Sequence, residues 1–134
     1  MKDIAKWAKL REVPAMRNYF NHMNAYHISY AVELPGSRYI RARRYMPEAS
    51  GLKGTELMPD YGRTEFFATG KTYHMTVIKS GQKIYMQVSD GKRSDLYFWD
   101  NTKFPPIESG RIGLRQMWTK ESRYKNFKIS VPAK

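Results

Sequence analysis

The chain contains no cysteine, which excludes disulfides, thiolate metal sites and a cysteine nucleophile together and leaves stability to packing. It also lacks any long apolar run, so no membrane-spanning helix is expected. Residues Met1 to Leu10 carry charges throughout, which argues against a secretory leader. These absences lead to the expectation of a cytoplasmic protein with no membrane attachment. Acidic residues are scarce, 12 Asp and Glu against 24 Lys and Arg, for a formal charge of +12. That sign favours a polyanionic partner, without saying which. Histidine is scarce too. The three present sit at spacings that cross element boundaries and compose no zinc site. No cofactor is expected, and structural calcium is admitted only at the loops near Asp60, Asp90 and Asp100, where no dense oxygen-ligand motif occurs.

What is there begins with helical spacing. Asp3 to Arg11 reads as a short helix with Ile4, Trp7, Ala8 and Arg11 along one stripe, and Pro14 opens a second segment carrying Ala15, Met16, Tyr19, Phe20 and Met23. From Asn24 the period becomes two. Tyr26, Ile28, Tyr30 and Val32 share one face of a strand and His27, Ser29 and Ala31 the other. A second strand, Arg38 to Tyr45, sets Ile40 and Ala42 opposite Tyr39, Arg41, Arg43 and Tyr45. Met46 to Gly70 is rich in glycine and proline and reads as a long connection, with Glu65 to Ala68 as a short strand within it. The clearest signal follows: Thr72 to Lys79, a Ser80-Gly81 turn, Gln82 to Ser89, an Asp90-Gly91 turn and Ser94 to Trp99 make a three-stranded meander. Arg111 to Trp118 and Arg123 to Val131 read as two closing strands, with Ile112, Leu114, Phe127, Ile129 and Val131 as their core side chains. The organisation expected is a helical segment over residues 1–23 and one β-sandwich domain over 24–134.

The stretch G-R-I-G-L-R-Q-M, a short polar turn and R-Y-K-N-F-K-I resemble the closing strand pair of bacterial concanavalin A-like domains, which include sugar-binding modules, glucanases and polysaccharide lyases. With N-A-Y-H-I-S-Y-A, I-R-A-R-R-Y-M-P and Y-H-M-T-V-I-K added, residues 13–131 resemble an uncharacterised bacterial family with a galectin-like jelly roll, found beside genes for rhamnogalacturonan and pectin breakdown. The resemblance implies an all-β jelly-roll sandwich and a carbohydrate context; it carries over no catalytic residues. Members of that family are longer at the N-terminus, so it further implies a shortened form or split gene. A homo-oligomer, a partner chain or the N-terminal helix would then cover the missing strands.

Alternation along the second strand makes Tyr39, Arg41, Arg43 and Tyr45 an aromatic and guanidinium ladder suited to an acidic glycan. Arginine offers a bidentate fork to a carboxylate, and a tyrosine ring can lie against a pyranose. A merely solvated outer face is the competing explanation. Arg115 is a second carboxylate-binding candidate. His27 is a candidate general acid or base, competing with an ordinary hydrogen-bonded histidine, and Tyr30 joins it as a candidate proton carrier. Trp99 is either a sugar platform or a rim-packing side chain.

The function expected is binding of, or action on, acidic pectin-type oligo- or polysaccharide. A polyuronate lyase on the same face and a non-catalytic, self-assembling sandwich are the alternatives. If the protein is an enzyme, a lyase is favoured over a glycoside hydrolase, because Glu33, Glu48, Glu56 and Asp60 are scattered and form no paired-carboxylate motif. Nucleic acid is disfavoured, since the basic residues follow no helical or ribonucleoprotein motif.

Overall fold

The computed structural model describes residues 16–31, 39–47, 51–62, 64, 66–115 and 121–132. The helix expected over Asp3 to Arg11, together with Val32, Gln116 and Trp118, lies outside them. The change of period near Asn24 marks a real boundary. Helix α1 (Met16–Phe20) is a single short turn, ended where Asn21 N–H donates to the Arg17 carbonyl at 3.1 Å and Met23 N–H to that of Tyr19 at 2.8 Å. Strand β1 (Ala25–Ala31) follows and pairs antiparallel with β2 (Tyr39–Tyr45), with His27 opposite Arg43, Ile28 opposite Ala42 and Ser29 opposite Arg41. Burial decides which face of this ribbon turns inward. Ile40 and Ala42 are fully buried, and Tyr26, Ile28 and Tyr30 pack against the same core from β1.

The meander forms as the turn residues dictate. Strands β3 (His74–Ser80), β4 (Lys83–Ser89) and β5 (Ser94–Asp100) make an antiparallel sheet in that order. Gly81 and Gly91 take the positive φ values, 57° and 90°, that tight hairpin turns need. At the second turn the Asp90 carboxylate accepts the N–H groups of Lys92 and Arg93, both at 2.9 Å, and those bonds hold its pKa below the ordinary value. Ile84, Met86, Val88, Tyr97 and Trp99 line the inner face and meet Ile40, Ala42, Leu57, Phe66 and Phe67 in one shared core.

The loop-rich connection joins the two sheets. Arg44 N–H donates to Thr55 O at 2.8 Å and Leu57 N–H to Ala42 O at 3.0 Å, so the connection pairs with β2. A step later, Asp100 N–H donates to Met58 O at 2.8 Å. The Tyr61 hydroxyl then donates to Phe98 O at 3.0 Å and accepts Phe98 N–H at 2.8 Å, so the same strap caps the edge of β5. Backbone groups that a sheet edge would expose are thereby satisfied.

The described residues are therefore mostly β, with two antiparallel sheets of two and three strands and, among them, little helix. Three expectations require correction. Residues 111–115 and 121–132 form no strand, and Ile112, Leu114, Phe127, Ile129 and Val131 are 50–89% exposed instead of buried. Asn126 has a positive φ of 55°, which breaks the extended path that alternation implied. Phe66 to Ala68 is not a strand either, although Phe66 and Phe67 are buried, each in edge contact with the other and packed on Tyr73. Trp99 is neither a platform nor a rim residue: it is wholly buried, in edge contact with Tyr61 and stacked with Tyr97.

The strap's grip on β5 can be measured. Tyr61→Phe keeps the ring contacts with Tyr97 and Trp99 but strands the half-buried backbone groups of Phe98. It should cost about 1–3 kcal/mol in urea-induced unfolding. An unchanged midpoint would show that water replaces the phenol at no cost.

Candidate functional site

The face of the β1–β2 ribbon turned away from the core collects most of the expected site. Alternation places Ala25, His27, Ser29 and Ala31 beside Tyr45, Arg43, Arg41 and Tyr39 in register. At its centre a hydrogen bond of 2.8 Å joins Tyr45 Oη to His27 Nδ1, and the two rings stack with centroids 5.1 Å apart. Tyr45 is not the outward ladder rung its spacing suggested. It is 2% exposed, with Phe20 of α1 packed edge-on at 6.4 Å, because the short helix covers this end of the ribbon.

The guanidiniums are placed by different means. Arg41 stays exposed, lies over the Tyr39 ring at 4.3 Å and donates to Ser29 Oγ at 3.4 Å. Arg43 is largely covered; it donates to Leu52 O at 3.0 Å and pairs with Glu56 at 3.2 Å. Arg115 reaches the same region from outside the ribbon, its guanidinium 3.4 Å from the centroid of the Tyr19 ring. Sequence reasoning misses Tyr19, which carries only a helical-spacing signal, and Glu56, which reads as one of the scattered loop acids.

Electrostatics shows that these groups converge. Burial, then Arg115, Arg41 and Arg43 in decreasing order, lower the His27 pKa from 6.5 to about 4, so the imidazole is neutral at physiological pH. Burial raises the Tyr45 hydroxyl above its ordinary value, with the same three arginines opposing. An uncharged imidazole hydrogen-bonded to a phenol, on a face where Arg43 and Arg41 stand in register and Arg115 also adds positive charge, is a setting that can receive an anion.

Tyr30 is not part of this arrangement. It lies on the core face of β1, stacked on Phe67 at 5.0 Å and sharing a 3.4 Å hydrogen bond with Tyr124. Burial, followed by that bond, raises its pKa. Arg44, also on the core face, is buried. It donates to Pro105 O at 3.0 Å and to its neighbour's carbonyl, Tyr45 O, and lies 5.5 Å from the Tyr26 ring, which explains how a charge persists inside. Among the described residues no group of three or more His, Asp or Glu side chains could hold a metal ion, and no helix is long and apolar enough to cross a membrane.

The depressed His27 pKa has a sign that stability must obey. The unfolded chain takes up this proton near pH 6.5 and the folded chain only near 4, so the contribution is whole above pH 6.5 and is lost as pH falls through that window. The loss should approach about 3 kcal/mol. It is read as the slope of unfolding free energy between neutral pH and pH about 5, which His27→Gln should flatten; equal slopes would refute a neutral buried imidazole. No protein-family model, curated protein or solved structure matches the chain, so its function must be argued from this geometry.

Proposed function

We propose that the chain binds acidic carbohydrate through the outer face of the β1–β2 ribbon, within a domain of concanavalin A-like, jelly-roll type. One observation carries the reading: Arg43 stands across the register from His27 and Arg41 follows on the same face, while Arg115, from a separate part of the chain, joins them in disfavouring a charged imidazole. Arg41, exposed and steadied on Tyr39, is the lead carboxylate ligand. Arg115 on Tyr19 is the second. Arg43, held by Glu56 and Leu52, supplies fixed positive charge from below. The half-buried Tyr39 ring offers an apolar edge to a pyranose. Two antiparallel sheets packed on one core support the sandwich part of the reading, and the pectin context stays what the family resemblance implied.

A second reading concerns assembly and has its own observation. Phe127, Ile129 and Val131 are 56–89% exposed on a segment whose alternation would suit a sheet. A second copy or a partner chain laid against it would cover them.

Isothermal titration with glucuronate and galacturonate oligomers in moderate salt tests the first reading. Arg41→Gln and Arg115→Gln should each weaken binding by roughly 10- to 100-fold, as loss of a charge-assisted hydrogen bond predicts. Failure of every uronate oligomer to bind, or tighter binding of single-stranded nucleic acid to the same arginines, would overturn it. For the second reading, light scattering should give a mass above the 15.8 kDa monomer, and Ile129→Asp should restore the monomer. A monomer at all concentrations would dismiss it.

A further inference from the structure

We propose that this face cleaves uronic-acid chains by β-elimination with His27 as the catalytic base, an inference that rests on the acidic-carbohydrate reading and adds a reaction to it. The geometry is that of a positioned base. Tyr45 holds the imidazole by stacking and by a bond to Nδ1. The elimination uses the tautomer in which Nδ1–H donates to the Tyr45 phenol oxygen, which leaves the lone pair on Nε2, the nitrogen that Tyr45 does not contact. Arg43 sits directly across the register from His27, and Arg41 is the next residue on the same face of β2.

Uronates are suited to such a site because the proton on C5 lies beside the carboxylate. Removing it spreads a second negative charge onto that carboxylate, which neighbouring guanidiniums stabilise. Nε2 of His27 takes the C5 proton, the C5–H electron pair becomes the C4=C5 double bond, and the C4–O4 bond breaks with its pair leaving on oxygen. The imidazolium then returns the proton to O4, releasing a free hydroxyl end and an unsaturated uronate. No water, metal or oxidant is consumed.

The fold also selects the sugar. His27, Ser29, Tyr39 and Arg41 all belong to one face of a two-stranded ribbon, so they meet a bound ring from one side. Tyr45 is buried alongside His27 and cannot reach around the ring. A single base that serves both steps needs H5 and O4 on the same side, as in glucuronate and mannuronate. Galacturonate presents them on opposite sides.

The test is the ultraviolet absorbance of the conjugated product formed from polyglucuronate, polymannuronate and polygalacturonate, with binding measured on the same preparations. The first two should be cleaved and polygalacturonate bound but left intact. His27→Gln should lose at least about 100-fold in kcat with binding of the oligomer retained. Tyr45→Phe, which keeps the stack, should lower kcat and displace the acidic limb of the pH profile. Binding without product from any polymer overturns the elimination and leaves the binding reading standing, whereas no binding removes both. Cleavage of polygalacturonate alone overturns the one-sided mechanism.

Discussion

The inward burial of Ile40 and Ala42 is the constraint on which the site depends. Side chains alternate along a strand, so seating those two against Trp99, Met86 and Phe67 leaves Tyr39, Arg41 and Arg43 no place but the opposite face. A register slip of one residue would drive two guanidiniums into an aromatic core at severe desolvation cost. The antiparallel pairing with β1 then delivers His27 to Arg43 and Ser29 to Arg41. Apolar packing on one side of the ribbon thus writes the chemistry of the other.

The ribbon is held against the meander by the strap from Thr55 to Tyr61. Its backbone bonds to β2 at one end and to β5 at the other, which makes a long glycine-containing connection structural. Arg43 benefits directly, since both its partners, Leu52 and Glu56, belong to that connection. On the inner side Asn101 does comparable work. Its amide donates to Tyr26 Oη at 2.9 Å and to the Phe104 carbonyl at 3.3 Å, tying β1 to the end of the meander.

The neutrality of His27 follows from the company it keeps. Burial penalises the imidazolium first, and three arginines add to the penalty. Any anion beside these guanidiniums would offset their contribution and raise the imidazole pKa again. Arg115 belongs to a segment with no regular secondary structure, yet it acts on His27 more strongly than either arginine of β2.

The hairpins, the meander and the polarity of the β1–β2 ribbon were legible in the chain, because period-two alternation and glycine turns act locally. The cluster of Arg41, Arg43 and His27 was legible for the same reason. Alternation failed at Ile112, Phe127 and Ile129, since an apolar face states what a strand could bury without stating that a neighbour is present to bury it. It did not reveal that Tyr61 packs on Trp99 or that Phe20 of α1 covers Tyr45, whereas Tyr30 lies on the face that alternation gave it, beside Tyr26 and Ile28. Composition by itself determined a cysteine-free chain with a formal charge of +12. Which arginines gather around which histidine was decided only by tertiary structure, because electrostatic coupling depends on distance and burial, and neither is a property of sequence order.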